Sequence, residues 1–303
     1  MRSPLLLLAT AAATTVEVRF TADFTTAVTS TSSTSCRGGA YRAHALNVAS
    51  SADALLRIEG GGVAKACGTD ERCAQVFAAM GYDGWALNAA DMASSREAFV
   101  NAVMAAGGTK PVASNYDTTY TSKYANLGGA VLLAVSETST ATYSKGVALA
   151  IAAARDAGVD FDTTPVILSV NGIGTADITD LGASSAANAV YKLAEENTEV
   201  DLVIATGISG LVTWYSTNWA GDQVRFAALS ASTQVQQVAL GFANGVPTSA
   251  TITTTTCSSS SKSAFVEGVR TDTVDYVPIV MLCDTGTAAR EECDAGRAAV
   301  DAI

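Results

Sequence analysis

The chain has 303 residues, 49% of them hydrophobic and 16% charged, with a formal net charge of −11. That composition excludes a disordered chain and bounds the architecture at one large α/β domain or two small ones. The charge argues against binding a nucleic-acid backbone or an anionic membrane, and it repels nucleotide substrates unless metals or local arginines offset it.

Met1-Arg2, the apolar Leu5 to Leu8 and the small residues Ala11 and Ala13 read as a short secretory signal over residues 1–15. Val16 to Ala22 alternates apolar and polar residues, as a half-buried strand does, and ends in Asp23. A Thr/Ser-rich loop, Thr25 to Ser35, leads to Arg37-Gly38-Gly39 and a helical stretch through Val48 that carries the single histidine, His44. A lone histidine with no second imidazole or thiolate beside it defines no zinc site. Ala54 to Gly62, ALLRIEGGG, is a second strand ending in three glycines.

Helical spacing of Val76, Phe77, Ala79 and Met80, a C-capping Gly81 and the apolar run Trp85-Ala86-Leu87 predict helix, turn and buried strand in succession. The strand runs into the loop Asn88-Ala89-Ala90-Asp91, in which Asn88 and Asp91 can also simply form a turn. A helix is expected over Ala98 to Ala105, then strands over Lys110 to Asn115 and Gly128 to Ser136. An Ala-rich helix follows over Lys145 to Ala157, and the apolar run Pro165 to Val170 fits a central strand. Ala186 to Glu196 is one more helix and Val200 to Gly207 one more strand.

Beyond Leu211 the chain becomes Ser/Thr-rich, and residues about 248–263, with TITTTTCSSSSKS, read as a low-complexity loop open to O-glycosylation. Val277 to Cys283 returns as a strand, and the tail as an amphipathic helix without the hydrophobic end of a GPI signal. No later apolar run reaches the ~20 residues that span a bilayer.

Six cysteines in an exported chain are expected as disulfides. Proximity in sequence favours Cys67–Cys73 and Cys283–Cys293 and leaves Cys36 and Cys257 as a third pair, one of fifteen connectivities. Other motifs fall short. Gly172-x-Gly174 lacks the third glycine of a dinucleotide fingerprint, and Leu211 stands where Gly207-Ile208-Ser209-Gly210 would need a glycine to complete a nucleophile elbow. Asp177 and Asp180 suit helix capping as well as a Ca²⁺ site.

In order and spacing these segments resemble the N-terminal domain of the 5'-nucleotidase branch of the calcineurin-like metallophosphoesterases. The carriers are Gly38-Gly39 before a helix, Gly81-Tyr82-Asp83-Gly84 between helix and strand, Pro111 to Asn115, Leu168-Ser169 and Val200-Asp201-Leu202-Val203. The resemblance covers most of Val16 to Gly210 with a short return near Val280. It implies an α/β fold, a four-layer sandwich of two mixed β-sheets flanked by helices, in a single domain over 16–303. The family's C-terminal nucleotidase domain is expected to be absent.

The same resemblance implies a two-metal phosphohydrolase site at the carboxyl ends of the strands, with two divalent cations as cofactor. Matched residue by residue, only Asp23 keeps a ligand letter outright. Thr25 stands where the family has a histidine, Gly61 where it has the carboxylate that bridges both metals, and Val170, Ile208 and Gly210 where it has imidazoles. The family's Gly-Asn-His-Glu loop reads Asn88, Ala89, Ala90, Asp91, so Ala89 stands where the family has the ligating asparagine and Ala90 where it has the catalytic histidine. Two dications ~3.5–4 Å apart need a shared anionic ligand, which Gly61 cannot supply; Glu59, two residues earlier on the same side of a strand, is the conceivable substitute.

The expectation is therefore a secreted, catalytically degenerate protein with no metal and no cofactor. It would serve as a non-catalytic binding or structural module, with a protein or small-molecule ligand as partner, no nucleic acid and no membrane span. The competing expectation is an active or residual metal-dependent phosphohydrolase acting on nucleotides or phosphomonoesters.

Overall fold

The computed structural model describes residues 14–22, 46, 50–63, 74, 77–78, 80–88, 91, 96–116, 118–136, 140–171, 189–206, 213–217, 220–229, 235–243 and 246–255. Strand β1 is Thr14–Thr21, β2 Ala54–Glu59 and β3 Gly84–Trp85, with helix α1 at Arg96–Ala105. Then come β4 (Tyr124–Asn126), β5 (Val131–Val135), α2 (Thr140–Asp156), β6 (Val166–Val170), α3 (Ala189–Glu196) and β7 (Leu202–Thr206). Strands β8 (Thr213–Thr217), β9 (Gln223–Leu229), β10 (Val235–Ala243) and β11 (Val246–Thr255) follow.

These strands form two mixed sheets, one of five strands in the order β11-β10-β1-β2-β3 and one of six in the order β4-β5-β6-β7-β9-β8. The central pairs β1–β2, β2–β3, β5–β6, β6–β7 and β7–β9 are parallel, and antiparallel pairings flank them. Strands β5, β6 and β7 are buried along their whole length. Their unbroken apolar runs suit parallel strands covered on both faces.

Strand alternation sorts the core into three clusters and hence four layers. Val18, Phe20, Leu56 and Ile58 of the first sheet meet Leu132, Ile167, Leu202 and Ile204 of the second in the space between the sheets. On the outer side of the first sheet, Trp85 packs with Phe77, Phe99, Val100 and Val103. On the outer side of the second, Leu133, Val135, Leu168, Val170, Val203 and Ala205 pack with Val147 and Ile151 of α2 and Leu193 of α3.

The four-layer α/β sandwich expected from the sequence is thus the observed architecture. One expectation fails in part. Residues 248–255 of the proposed Ser/Thr-rich loop lie in β11, which pairs with β10 from Val235↔Thr255 to Ala243↔Val246 at the edge of the first sheet. Threonine is β-branched and favours the extended backbone, so a run that reads as low complexity by composition is also a good edge strand. The signal segment up to Ala13, His44, all six cysteines, Val277 to Cys283 and the tail lie outside the described residues. Among the described residues no helix is long and apolar enough to cross a membrane.

At the amino ends of the second sheet, Asp201 joins three strands. Its carboxylate accepts the Val166 N–H at 2.8 Å, its own N–H donates to Val166 O at 3.0 Å, and its carbonyl accepts the Arg225 N–H at 2.9 Å. Burial pushes the carboxyl up to about 7 and the charge of Asp222 adds to the rise, while the Val166 hydrogen bond opposes it. A folded-state value above the unfolded one means that the fold holds this proton more tightly. The stabilisation is full below the ordinary carboxyl range and is lost as pH rises towards 7. Asp201→Asn is expected to flatten that dependence and to stabilise the fold at pH 8 by on the order of 2 kcal/mol, after allowance for partial solvent screening. Urea unfolding of both proteins between pH 4 and 8 checks it; parallel profiles would count against the assignment.

Candidate functional site

The carboxyl ends of the parallel strands are where ligands gather in α/β folds, and here the chain turns on glycine and short polar residues. Strand β2 leaves the sheet through Gly60-Gly61-Gly62. Gly61 has φ +115°, and a Cβ there would stand 3.1 Å from both Cβ and N of Asn88. The ends of β2 and β3 are therefore packed backbone to backbone, in a conformation that suits glycine.

Asn88 and Asp91 close this turn reciprocally. Asp91 Oδ2 accepts the N–H of Gly62 at 2.6 Å and that of Asn88 at 3.2 Å, while Asn88 Oδ1 accepts the Asp91 N–H at 3.0 Å. This is the logic of a capping box, in which two side chains satisfy each other's backbone donors. Asp91 Oδ2 and Asn88 Oδ1 are thereby engaged in holding the loop.

Glu59 does not replace the carboxylate missing at position 61. It is fully buried, and Thr21 Oγ1 donates to its Oε2. Because the threonine proton goes to the carboxylate, the Tyr82 hydroxyl 2.8 Å away donates to Thr21 Oγ1. Tyr82 belongs to the cluster on the outer side of the first sheet, so this chain of hydrogen bonds runs under the helices. Arg19, also buried on β1, donates to Glu17 Oε1 at 2.6 Å and to Leu46 O at 3.0 Å.

On the second sheet, Ser136, Asn171 and Thr206 follow or end β5, β6 and β7 in one row. The register pairs Val135 with Val170 and Val170 with Ala205, and all three polar residues are buried. Alternation turns them away from the helices, towards the first sheet. Thr206 Oγ1 donates to Asn171 Oδ1. A Cβ added to Gly60 would stand 2.6 Å from Thr206 Cγ2, so the two sheets meet here with no room for a side chain at position 60. Asn115 pins the neighbouring loop, its Nδ2 donating to Ser136 O at 2.9 Å and its Oδ1 accepting the Ser136 N–H at 3.3 Å.

Of the residues expected to converge, Gly61 and Asn88 do come together. Val170 ends β6, but its side chain lies in the helix-facing core with Val135, Val203 and Ala205 and does not join them. Asp23, Thr25, Ala89, Ala90, Ile208 and Gly210 lie outside the described residues. Ser136, Asn171 and Thr206 were missed. Their one sequence signal is a polar residue directly at the end of each apolar run, and the parity that aims them inward is invisible where both faces are apolar.

Among the described residues no group of three His, Cys, Asp or Glu side chains could hold a metal ion. Gly61 offers no side-chain donor, Asp91 and Asn88 hold each other, and Glu59 is turned to the helices. The donor set on the described strand ends does not fit a two-metal centre.

Two mixed sheets packed face to face between helices, with the parallel strand ends gathered at one edge, define the chain as a four-layer α/β sandwich. No family model matches the chain, and neither does any curated protein. Solved structures do. The 5'-nucleotidase precursor from Thermus thermophilus superposes with a TM-score of 0.59 at 14% identity, over 85% of this chain and 58% of that one. This chain therefore spans less than two thirds of that protein's length. The Haemophilus influenzae NAD nucleotidase gives a TM-score of 0.59 at 10% identity, over 91% of this chain and 67% of that one. The structural neighbours are thus 5'-nucleotidase-like phosphoesterases, and at these identities the likeness establishes the fold.

Proposed function

We propose that the chain is a secreted, catalytically degenerate relative of the 5'-nucleotidases that binds a ligand without hydrolysing it. The observation that carries this reading is Gly61. Where a bridging carboxylate would sit, the chain has a glycine at φ +115° pressed against Asn88. The replacements at Thr25, Ala89, Ile208 and Gly210 support it from sequence, as does the net charge of −11, which opposes an anionic substrate. Secretion is supported by the N-terminal apolar segment and the six cysteines.

The test is metal analysis of the purified protein together with 5'-nucleotide hydrolysis in Mn²⁺, Co²⁺ or Zn²⁺. The expected result is substoichiometric metal and no turnover above the buffer rate. Stoichiometric metal with hydrolysis abolished by Asp23→Ala would overturn the reading and establish a metal-dependent phosphohydrolase instead.

A further inference from the structure

The row at the ends of β5 and β6 holds two polar atoms that the fold leaves unused. Asn171 Nδ2 and Ser136 Oγ have no hydrogen-bond partner, and each residue is 1% exposed. Thr206 holds the amide oxygen of Asn171, so the amide nitrogen is directed away from it with two protons to donate. Ser136 lies on the adjacent strand in register, since the Asn171 N–H donates to Val135 O at 2.9 Å. An unsatisfied buried amide or hydroxyl costs about 1–3 kcal/mol, and such groups in a native structure call for an explanation.

Resting on the reading of this edge as a binding site, we propose that the row takes a neutral ligand through two adjacent hydroxyls, a vicinal diol of the kind borne by sugars and nucleosides. Neighbouring strands lie about 4.8 Å apart, so an amide and a hydroxyl on two such strands reach two oxygens of one small molecule. One ligand hydroxyl accepts from Asn171 Nδ2, and the other exchanges a hydrogen bond with Ser136 Oγ, which can donate or accept. Neutrality follows from the surroundings. The row is made of Ser, Asn and Thr with no charged side chain in it, and the chain is acidic overall. Binding in a desolvated row makes each satisfied group count more than it would at the surface.

Thermal unfolding in EDTA with glucose, mannose, galactose, adenosine or AMP tests the proposal. At least one neutral diol at about 20–50 times its dissociation constant is expected to raise Tm by about 2–5 °C. Adenosine is expected to act more strongly than AMP. Ser136→Ala deletes a hydroxyl without a partner, so its ligand-free Tm should stay within about 1 °C of the parent while the ligand shift is lost. Asn171→Ala/Thr206→Val, which removes both members of a hydrogen bond together, should lose the shift as well. Ser169→Ala, at another buried hydroxyl without a partner but two residues deeper in β6, should keep it. No shift from any neutral diol, a larger shift from AMP, or a full shift in Ser136→Ala would overturn the proposal and leave the row to ordered water or an anion. Because EDTA removes metal, this outcome is independent of the hydrolysis test.

Discussion

Trp85→Ala is expected to destabilise the protein by about 3–5 kcal/mol, enough to unfold a marginal domain. Trp85 is fully buried, with ring centroids 5.1 Å from Phe77 and 6.3 Å from Phe99, both edge-on. Its Nε1 donates to Thr109 O at 2.7 Å, which ties β3 to the loop after α1. Truncation removes the packing, opens a cavity among residues that cannot all collapse into it, and strands a carbonyl. Strand β3 is two residues long and ends three residues before Asn88, so the same substitution should loosen this edge. Urea unfolding gives the stability, and hydrogen exchange at Asn88 gives the local effect. A loss below about 1 kcal/mol would show that the aromatic cluster is not what holds β3.

Gly61→Asp restores the carboxylate that the resemblance places at this position, and it is expected to cost about 2–4 kcal/mol without creating a metal site. An L-residue is strained at φ +115°, and the new Cβ would lie 3.1 Å from the backbone nitrogen and Cβ of Asn88. Relief requires the β2 and β3 ends to part, which breaks the Gly62 and Asn88 hydrogen bonds to Asp91. Chemical denaturation with and without Mn²⁺ separates the two effects. A variant as stable as the parent, or one that Mn²⁺ stabilises and the parent does not share, would show that the backbone still accommodates the ligand and that degeneracy rests on side chains alone.

Several elements are legible in the sequence alone. The apolar runs at Val166–Val170 and Leu202–Thr206 suited buried strands, and the helices alternating with them required a layered α/β fold. The replacements at Thr25, Gly61, Ala89, Ile208 and Gly210 are equally plain, because the loss of an imidazole, amide or carboxylate is a property of the letter alone. The sequence reading assigns no strand at β8, β9 or β10, although QVRFAAL and VQQVALGFA hold apolar strand formers, and it places part of the Thr-rich β11 in a loop, because Thr-rich segments carry weak periodicity until a neighbouring strand supplies a face to pack against.

By itself, then, the sequence determined the order of the main elements and the residue types that stand at the matched positions. Tertiary structure decided where the remaining polar groups point. It turned Glu59 under the helices with Thr21 and Tyr82, placed Val170 in the outer core, and aimed Asn171 and Ser136 at the space between the sheets. The physical reason is that a strand buried on both faces has no polar side to reveal its orientation. The close approach of Gly60 to Thr206 joins residues far apart in the chain, and packing alone brings them together.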